Sequence, residues 1–322
     1  MSRRSWILLA ALAAVWGASY LLIKVALDDL SPAMVVFTRT LLAALVLVPV
    51  AARMGALRGL RERVVPVFVL AAVQVAAPFL LISFGEERIS SSLAGILVAA
   101  APIFTAVLAI WIDNDERSHG LGLAGIGLGI AGVALLLGVD AGGGRAALIG
   151  GLMVVLASLG YALGAFYLKR RLSDLPPVGV GAAAMGATAL LTAPFGLATA
   201  PASLPGAGAW GAVAALGVLG TGIAFWIFYF LIGTVGPAKA TLVAYIAPGF
   251  AVVYGVTLLD ERFTAGTAAG LVMIVGGSWL AAEGRLPRLK ARRAEPALEG
   301  AGAPGPAPAP ARAPEPARAE AR

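Results

Sequence analysis

From residue 5 to residue 284 the chain alternates long, continuously apolar stretches with short polar connections. Each stretch is close to the ~20 residues that a helix needs to cross the hydrocarbon of a bilayer. Ten are read, at 5–27, 33–52, 64–84, 90–112, 120–138, 146–168, 177–199, 208–232, 237–259 and 266–284. They are apolar throughout rather than at every second position, so they predict helices and not the strands of a barrel. The expected fold is an all-α integral membrane protein with ten transmembrane helices. Arg3 and Arg4 ahead of an apolar run containing Ala11-Leu12-Ala13 imitate a secretory or twin-arginine leader. The run continues well past that point, so it is read as a retained first span.

Composition narrows the class further. Apolar residues make up 60% and charged residues 13%, where a soluble domain carries about 25% charged; mean hydropathy is +0.91. This excludes a soluble enzyme domain and a disordered chain. With no cysteine and one histidine, His119, thiol chemistry and a His or Cys metal cluster are excluded, and no cofactor is expected. Of the net charge of +7, +4 lies from Arg285 onward, in an Ala/Pro-rich stretch expected to be disordered and cytoplasmic. No run interleaves basic and aromatic residues as a nucleic-acid groove would. With the N-terminus inside, eleven Lys/Arg before that tail face the cytoplasm, against five (Lys24, Arg39, Arg88, Arg145 and Arg262) on the outer side. This predicts a multi-pass protein of the cell membrane with both termini cytoplasmic.

Shifting the chain by 145 residues overlays one half on the other. Lys24 falls on Lys169, Asp29 on Asp174, Pro32 on Pro177, Pro49 on Pro194, and Asp115-Glu116-Arg117 on Asp260-Glu261-Arg262. With one residue of slippage, Ala101-Pro102 falls on Ala247-Pro248. The units are 1–140 and 146–284, each of five spans, followed by the tail 285–322. Five is odd, so the second unit enters the membrane upside down. Inverted repeats of this kind build secondary transporters whose substrate site lies at the repeat interface near the midplane.

The residues that carry a family pattern are Trp16-Gly17-Ala18-Ser19, Arg39 with Leu41-Leu42-Ala43-Ala44-Leu45, and the paired segments 93–117 and 239–262. Over about residues 5–284 the chain resembles the EamA-like permeases of the drug/metabolite transporter superfamily. The resemblance implies export or import of a small metabolite, often an amino acid, with efflux of an amino acid or a related compound the expected activity. Alternating access is expected from the inverted repeat, the paired prolines and the deep aromatics. Uptake, or export of drugs or amines, stays open as an alternative, as does a channel-like or structural role. No catalytic dyad marks an enzyme, and without GxxxxGK[ST] no ATP site is expected. A monomer and a homodimer both fit. The chain departs from the family where Asp115 and Asp260 replace a frequent glycine before the glutamate. The related small multidrug exporters depend on a carboxylate inside the first span. Here all thirteen acidic residues before the tail fall in connections or at span ends, which disfavours that mechanism.

The candidate site residues follow from depth and chemistry. Pro102 and Pro248 lie midway along spans 4 and 9, where each removes a helical N–H and frees a carbonyl, at Val98 and Ala244. They are either packing kinks or part of the pathway lining. Trp16, its repeat mate Tyr161, Trp226, Tyr229 and Tyr245 are deep aromatics whose polar atoms need partners. Ser19 belongs to the span 1 pattern. Gln74 is the one side-chain amide deep in a span. Arg39, about two turns inside span 2, either reaches the surface or pairs with Asp28, Asp29 or Glu86, or else anchors a substrate carboxylate or phosphate. Trp6, Trp111 and Trp210 sit near span ends as interfacial anchors. The GxGxxG runs at 120–125 and 127–132 lie inside span 5, so they predict close helix packing, with Gly125-xxx-Gly129 matched by Gly266-xxx-Gly270 in span 10.

Overall fold

The structure, a computed structural model, describes residues 1–112, 120–139 and 144–283. The turn at Asp113, Asp115 and Glu116 and the expected disordered tail lie outside these residues. Among the described residues all regular structure is helical, and nine helices are long and apolar enough to cross a membrane. They are Arg3–Ala26, Pro32–Arg53, Leu60–Glu86, Ser91–Trp111, Leu121–Gly138, Gly144–Arg171, Pro177–Ala198, Ala207–Val235 and Ala265–Ala282. The expected span 9 is not one helix: a short turn, Pro237–Ala240, precedes a 16-residue helix, Val243–Leu258. Local signals set the starts. Ser2, Ser31 and Ser90 each accept a hydrogen bond from the backbone N–H three residues on, which satisfies an orphan donor of the first turn. Pro32 and Pro177 open their helices where no N–H is needed.

The packing follows the repeat. Spans 2 and 7, 4 and 9, and 5 and 10 each pack against their own repeat mate. The remaining contacts are mirrored: span 3 packs on span 6 as span 8 packs on span 1, and span 1 on span 9 as span 6 on span 4. An approximate twofold relation between the halves requires this pattern. Spans 5 and 10 approach so closely that a Cβ at Gly277 would lie 2.5 Å from the backbone nitrogen of Gly129. The small-residue packing is thus realised through Gly125 and Gly129 on span 5, with Gly277 as well as Gly270 on span 10. Trp6, Trp111 and Trp210 are exposed, as anchors at a lipid interface would be.

Two departures from straight helices place the site. Ala71–Ala76 in span 3 and Leu216–Ile223 in span 8 wind as π-helix, and the 145-residue shift carries Ala71 onto Leu216. Such wide turns are rare and cluster at functional sites. Span 4 is broken at Ala99–Ala100, just ahead of Pro102, into Ser91–Val98 and Ala101–Ile112. The carbonyls at the break are not left bare. Ser158 of span 6 donates to Leu97 O at 3.1 Å and Val98 O at 3.4 Å, and Ser278 of span 10 donates to Ala99 O at 2.7 Å. Pro248 behaves differently. It sits inside the unbroken helix Val243–Leu258, and the interruption of its span falls earlier, at residues 241–242. The two prolines are therefore not a symmetrical pair of kinks.

Candidate functional site

The central polar group is Arg39. It is 6% exposed, so it does not reach the surface, and among the described residues it makes no ion pair. Its guanidinium lies over the Phe79 ring, 3.8 Å from the centroid, a desolvated cation–π contact of roughly 2 kcal/mol. Nε donates to Thr221 Oγ1 at 3.2 Å, and Thr221 donates in turn to Leu216 O, five residues back, at 2.9 Å. Phe79 follows the π segment of span 3 and Thr221 lies within that of span 8. The two wide turns thus flank one cation from opposite halves of the repeat. Gly217 lets span 8 come close, since a Cβ there would meet Arg39 O at 3.0 Å.

Around Arg39 stand Tyr20 of span 1, Tyr161 of span 6 and Glu86 at the end of span 3, all within electrostatic reach. Ser19 is buried beside Gly220 in the same π segment and donates to its own Val15 O at 3.3 Å. Gln74, inside the π segment of span 3, packs on Gly164, one turn along span 6 from Tyr161; Pro78 packs on Gly160. The Gly160-xxx-Gly164 face exists to admit that wide turn.

A second aromatic group adjoins span 8. Trp16 meets Phe225 and Phe228 at 5.8 and 5.2 Å, and Tyr229 meets Phe225 at 5.9 Å; a Cβ at Gly181 of span 7 would clash with the Tyr229 hydroxyl. The structure thus gathers Arg39, Tyr161, Ser19 and Gln74 in one region and Trp16 and Tyr229 in another. Two candidates lie elsewhere. Trp226 is 45% exposed with its ring against Phe230. Tyr245 lines an apolar groove of about 370 Å³ with Trp6, Ile246 and Trp279. Pro102 borders the break in span 4, while Pro248 is buried in helix.

Charged groups close the end of the bundle that bears residues 27–31, 87–90 and 259–264. The Lys24 ammonium donates to the main-chain oxygens of Glu86 and Ile89, at the negative end of span 3. Glu261 accepts from Ser91 N at 2.7 Å and Ser92 N at 2.9 Å, and also from the Ser92 hydroxyl, at the positive start of span 4. The backbone turns into this cap through Asp260, whose φ of 52° is left-handed. This is the position where the family resemblance leads one to expect glycine. Lys24 and Glu261 line one vestibule of about 410 Å³. Below it spans 1, 4 and 9 are in tight contact: Gly17 lies against Phe250 and Ala247, Gly95 against Ala251 and Tyr20, and Gly255 against Ser92.

Tyr20, Phe79, Thr221 and Glu261 were not among the candidates read from the sequence, and Glu86 was named there only as one of three acids that Arg39 could pair with. Of the four, only Tyr20, one turn from Trp16 on span 1, and Thr221, a hydroxyl deep in span 8, left a trace in the pattern. Glu86 was counted among acids at span ends, but it is fully enclosed. Lys24, counted from the sequence only as an outer-side charge, binds the end of a neighbouring helix.

The EamA-like transporter family model matches the chain twice, at residues 4–138 and 148–282. The chain belongs to the EamA-like transporter family. An Escherichia coli K12 protein described as an uncharacterized inner membrane transporter, YedA, is 28% identical over 266 residues, 80% of this chain and 83% of the relative. A probable amino-acid metabolite efflux pump of the same strain is 26% identical over 87% of this chain and 95% of its own length. A probable terminal-alkyne amino-acid exporter of Streptantibioticus cattleyicolor is 26% identical over 81% and 87%. One crystal structure shares the fold, with a TM-score of 0.62, 21% identity, and coverage of 87% of this chain and 97% of the other. The protein is thus a multi-pass membrane transporter, and the EamA-like model matches both halves of the repeat.

Proposed function

We propose that this EamA-like protein exports an amino acid or a closely related carboxylate by alternating access, with Arg39 as the anchor for the carboxylate. The observation that carries the reading is the Arg39 guanidinium, buried at the interface of the two repeats with one hydrogen bond and no ion pair among the described residues. A buried cation without a counter-ion is costly, and a planar fork suits a carboxylate. Two relatives are named for amino-acid metabolites or amino acids, which supports the substrate class. The mechanism has one bundle rocking against the other about the two π segments and the break in span 4. Both termini are cytoplasmic in this reading, so the Lys24/Glu261 end is the outer one. The tight contacts of spans 1, 4 and 9 there make the structure a state sealed to the outside.

The test is counterflow in proteoliposomes with a panel of labelled amino acids. Wild-type protein is expected to exchange at least one of them saturably, and Arg39→Gln to lose exchange while still eluting as folded protein. Arg39→Lys keeps the charge but loses the planar contact with Phe79, and is expected to exchange with a raised KM. Normal exchange by Arg39→Gln would refute the anchor.

A further inference from the structure

Glu86 ends span 3, is 0% exposed, and neither of its carboxyl oxygens accepts a hydrogen bond. The two cations that face it are engaged elsewhere: Lys24 of span 1 is turned to the main-chain oxygens of Glu86 and Ile89, and Arg39 of span 2 to Thr221 and the Phe79 ring. The other groups that face this carboxyl are Tyr20 of span 1 and Glu261 from the connection after span 9. Tyr161 of span 6 faces Tyr20 and Arg39. The start of span 4, Ser90-Ser91-Ser92, carries no charged side chain, and the adjoining Glu87 and Arg88 pair with each other at 3.2 Å. Glu261 is itself held by the start of span 4. An ionised carboxylate enclosed without a donor would forfeit its hydration for only the attraction of Lys24 and Arg39, which donate no hydrogen bond to it, a cost of several kcal/mol; the neutral acid loses far less.

We propose that Glu86 is a proton-binding site whose occupancy sets whether the outer end of the transporter is sealed or open. With the proton bound, the carboxyl is neutral and the sealed packing holds. When spans 1, 3, 4 and 9 part, water reaches Glu86, its proton leaves to that water, and Lys24, released from the carbonyls, pairs with the carboxylate. The sealed state binds the proton better, so lowering the external pH favours sealing and raising it favours opening. A neutral Glu86 also leaves Arg39 without a competing anion, free for a carboxylate from the cargo. The inference rests on the alternating-access reading but needs no cargo, so its test uses none.

The chain has no cysteine, so Ile89→Cys places one thiol at a buried outer position. Maleimide labelling of the purified variant, normalised at each pH to the denatured protein, is expected to rise between about pH 5 and pH 9, by at most about tenfold per pH unit for one proton. With Glu86→Gln added, which mimics the neutral acid, labelling should stay low and flat. Infrared spectra of the protein without Ile89→Cys at about pH 7, where ordinary carboxyls are ionised, should show a protonated-carboxyl carbonyl band that Glu86→Gln removes. An equal pH slope in the Gln variant, or no such band, would overturn the proposal. High labelling at every pH would instead sink the sealed-state reading, and the infrared band would then decide Glu86 alone.

Discussion

Asp260 carries the strain of the outer connection. Its left-handed backbone aims Glu261 at the first N–H groups of span 4. For an L-residue this conformation costs roughly 1–2 kcal/mol, less for aspartate and most for a β-branched side chain. Asp260→Val is therefore expected to lower the Tm in detergent, and Asp260→Gly to leave it unchanged or raise it. A valine variant as stable as the parent would show that the turn is not under strain. The sequence marked this residue as a departure from the family without saying why glycine suits the position. The answer is a dihedral angle, which no composition or spacing encodes. Arg39 was legible as a buried-or-surface ambiguity, and its stacking on Phe79 resolved it. Glu86 was legible as a possible neighbour of Arg39 but not as an enclosed acid, because a residue at the end of an apolar run looks solvated until the neighbouring helices that cover it are known.

The helices themselves were largely legible, because twenty apolar residues in a row permit little else. Their interruptions were not. The π segments consist mostly of Ala, Val, Leu and Gly, and what fixes them is the partner surface: Gly160 and Gly164 opposite one, Leu42 and Val46 opposite the other. Pro102 announced a disturbance in span 4, but Pro248 announced one that its own helix does not contain. The difference lies in available donors. Ser158 and Ser278 serve the carbonyls freed in span 4, whereas the 145-residue shift puts Ala13 and Val133 at the corresponding places for span 9. Ser158→Ala or Ser278→Ala leaves a buried carbonyl short of a partner, at about 1–3 kcal/mol. Each is expected to reduce thermal stability in detergent, and an unchanged Tm in both would mean that water or a relaxed helix serves those carbonyls. Between spans 5 and 10, Gly129→Leu has no room beside Ile103 and Gly277. Well-folded protein is expected to be lost in that variant, as followed by size-exclusion elution; a normal profile would show that the seam can separate at little cost.

At the scale of the molecule, the doubling read from charged and proline residues reappears as mirrored helix contacts and as a family model that matches both halves. What the repeat could not foretell is the asymmetry: span 4 breaks at Ala99–Ala100 just ahead of Pro102, whereas span 9 is interrupted earlier, at residues 241–242, and runs unbroken through Pro248. That asymmetry distinguishes the two halves of an otherwise mirrored bundle. Recognition of a carboxylate by Arg39 at the repeat interface is the centre of the proposed transport. The most direct measurement is competition in counterflow, with any labelled amino acid that wild-type protein exchanges, by the unlabelled amino acid and by its amide, which keeps the ammonium and side chain but lacks the carboxylate. The free amino acid is expected to compete and the amide is not. Equal competition by the amide, or no saturable exchange with any amino acid of the panel, would contradict it.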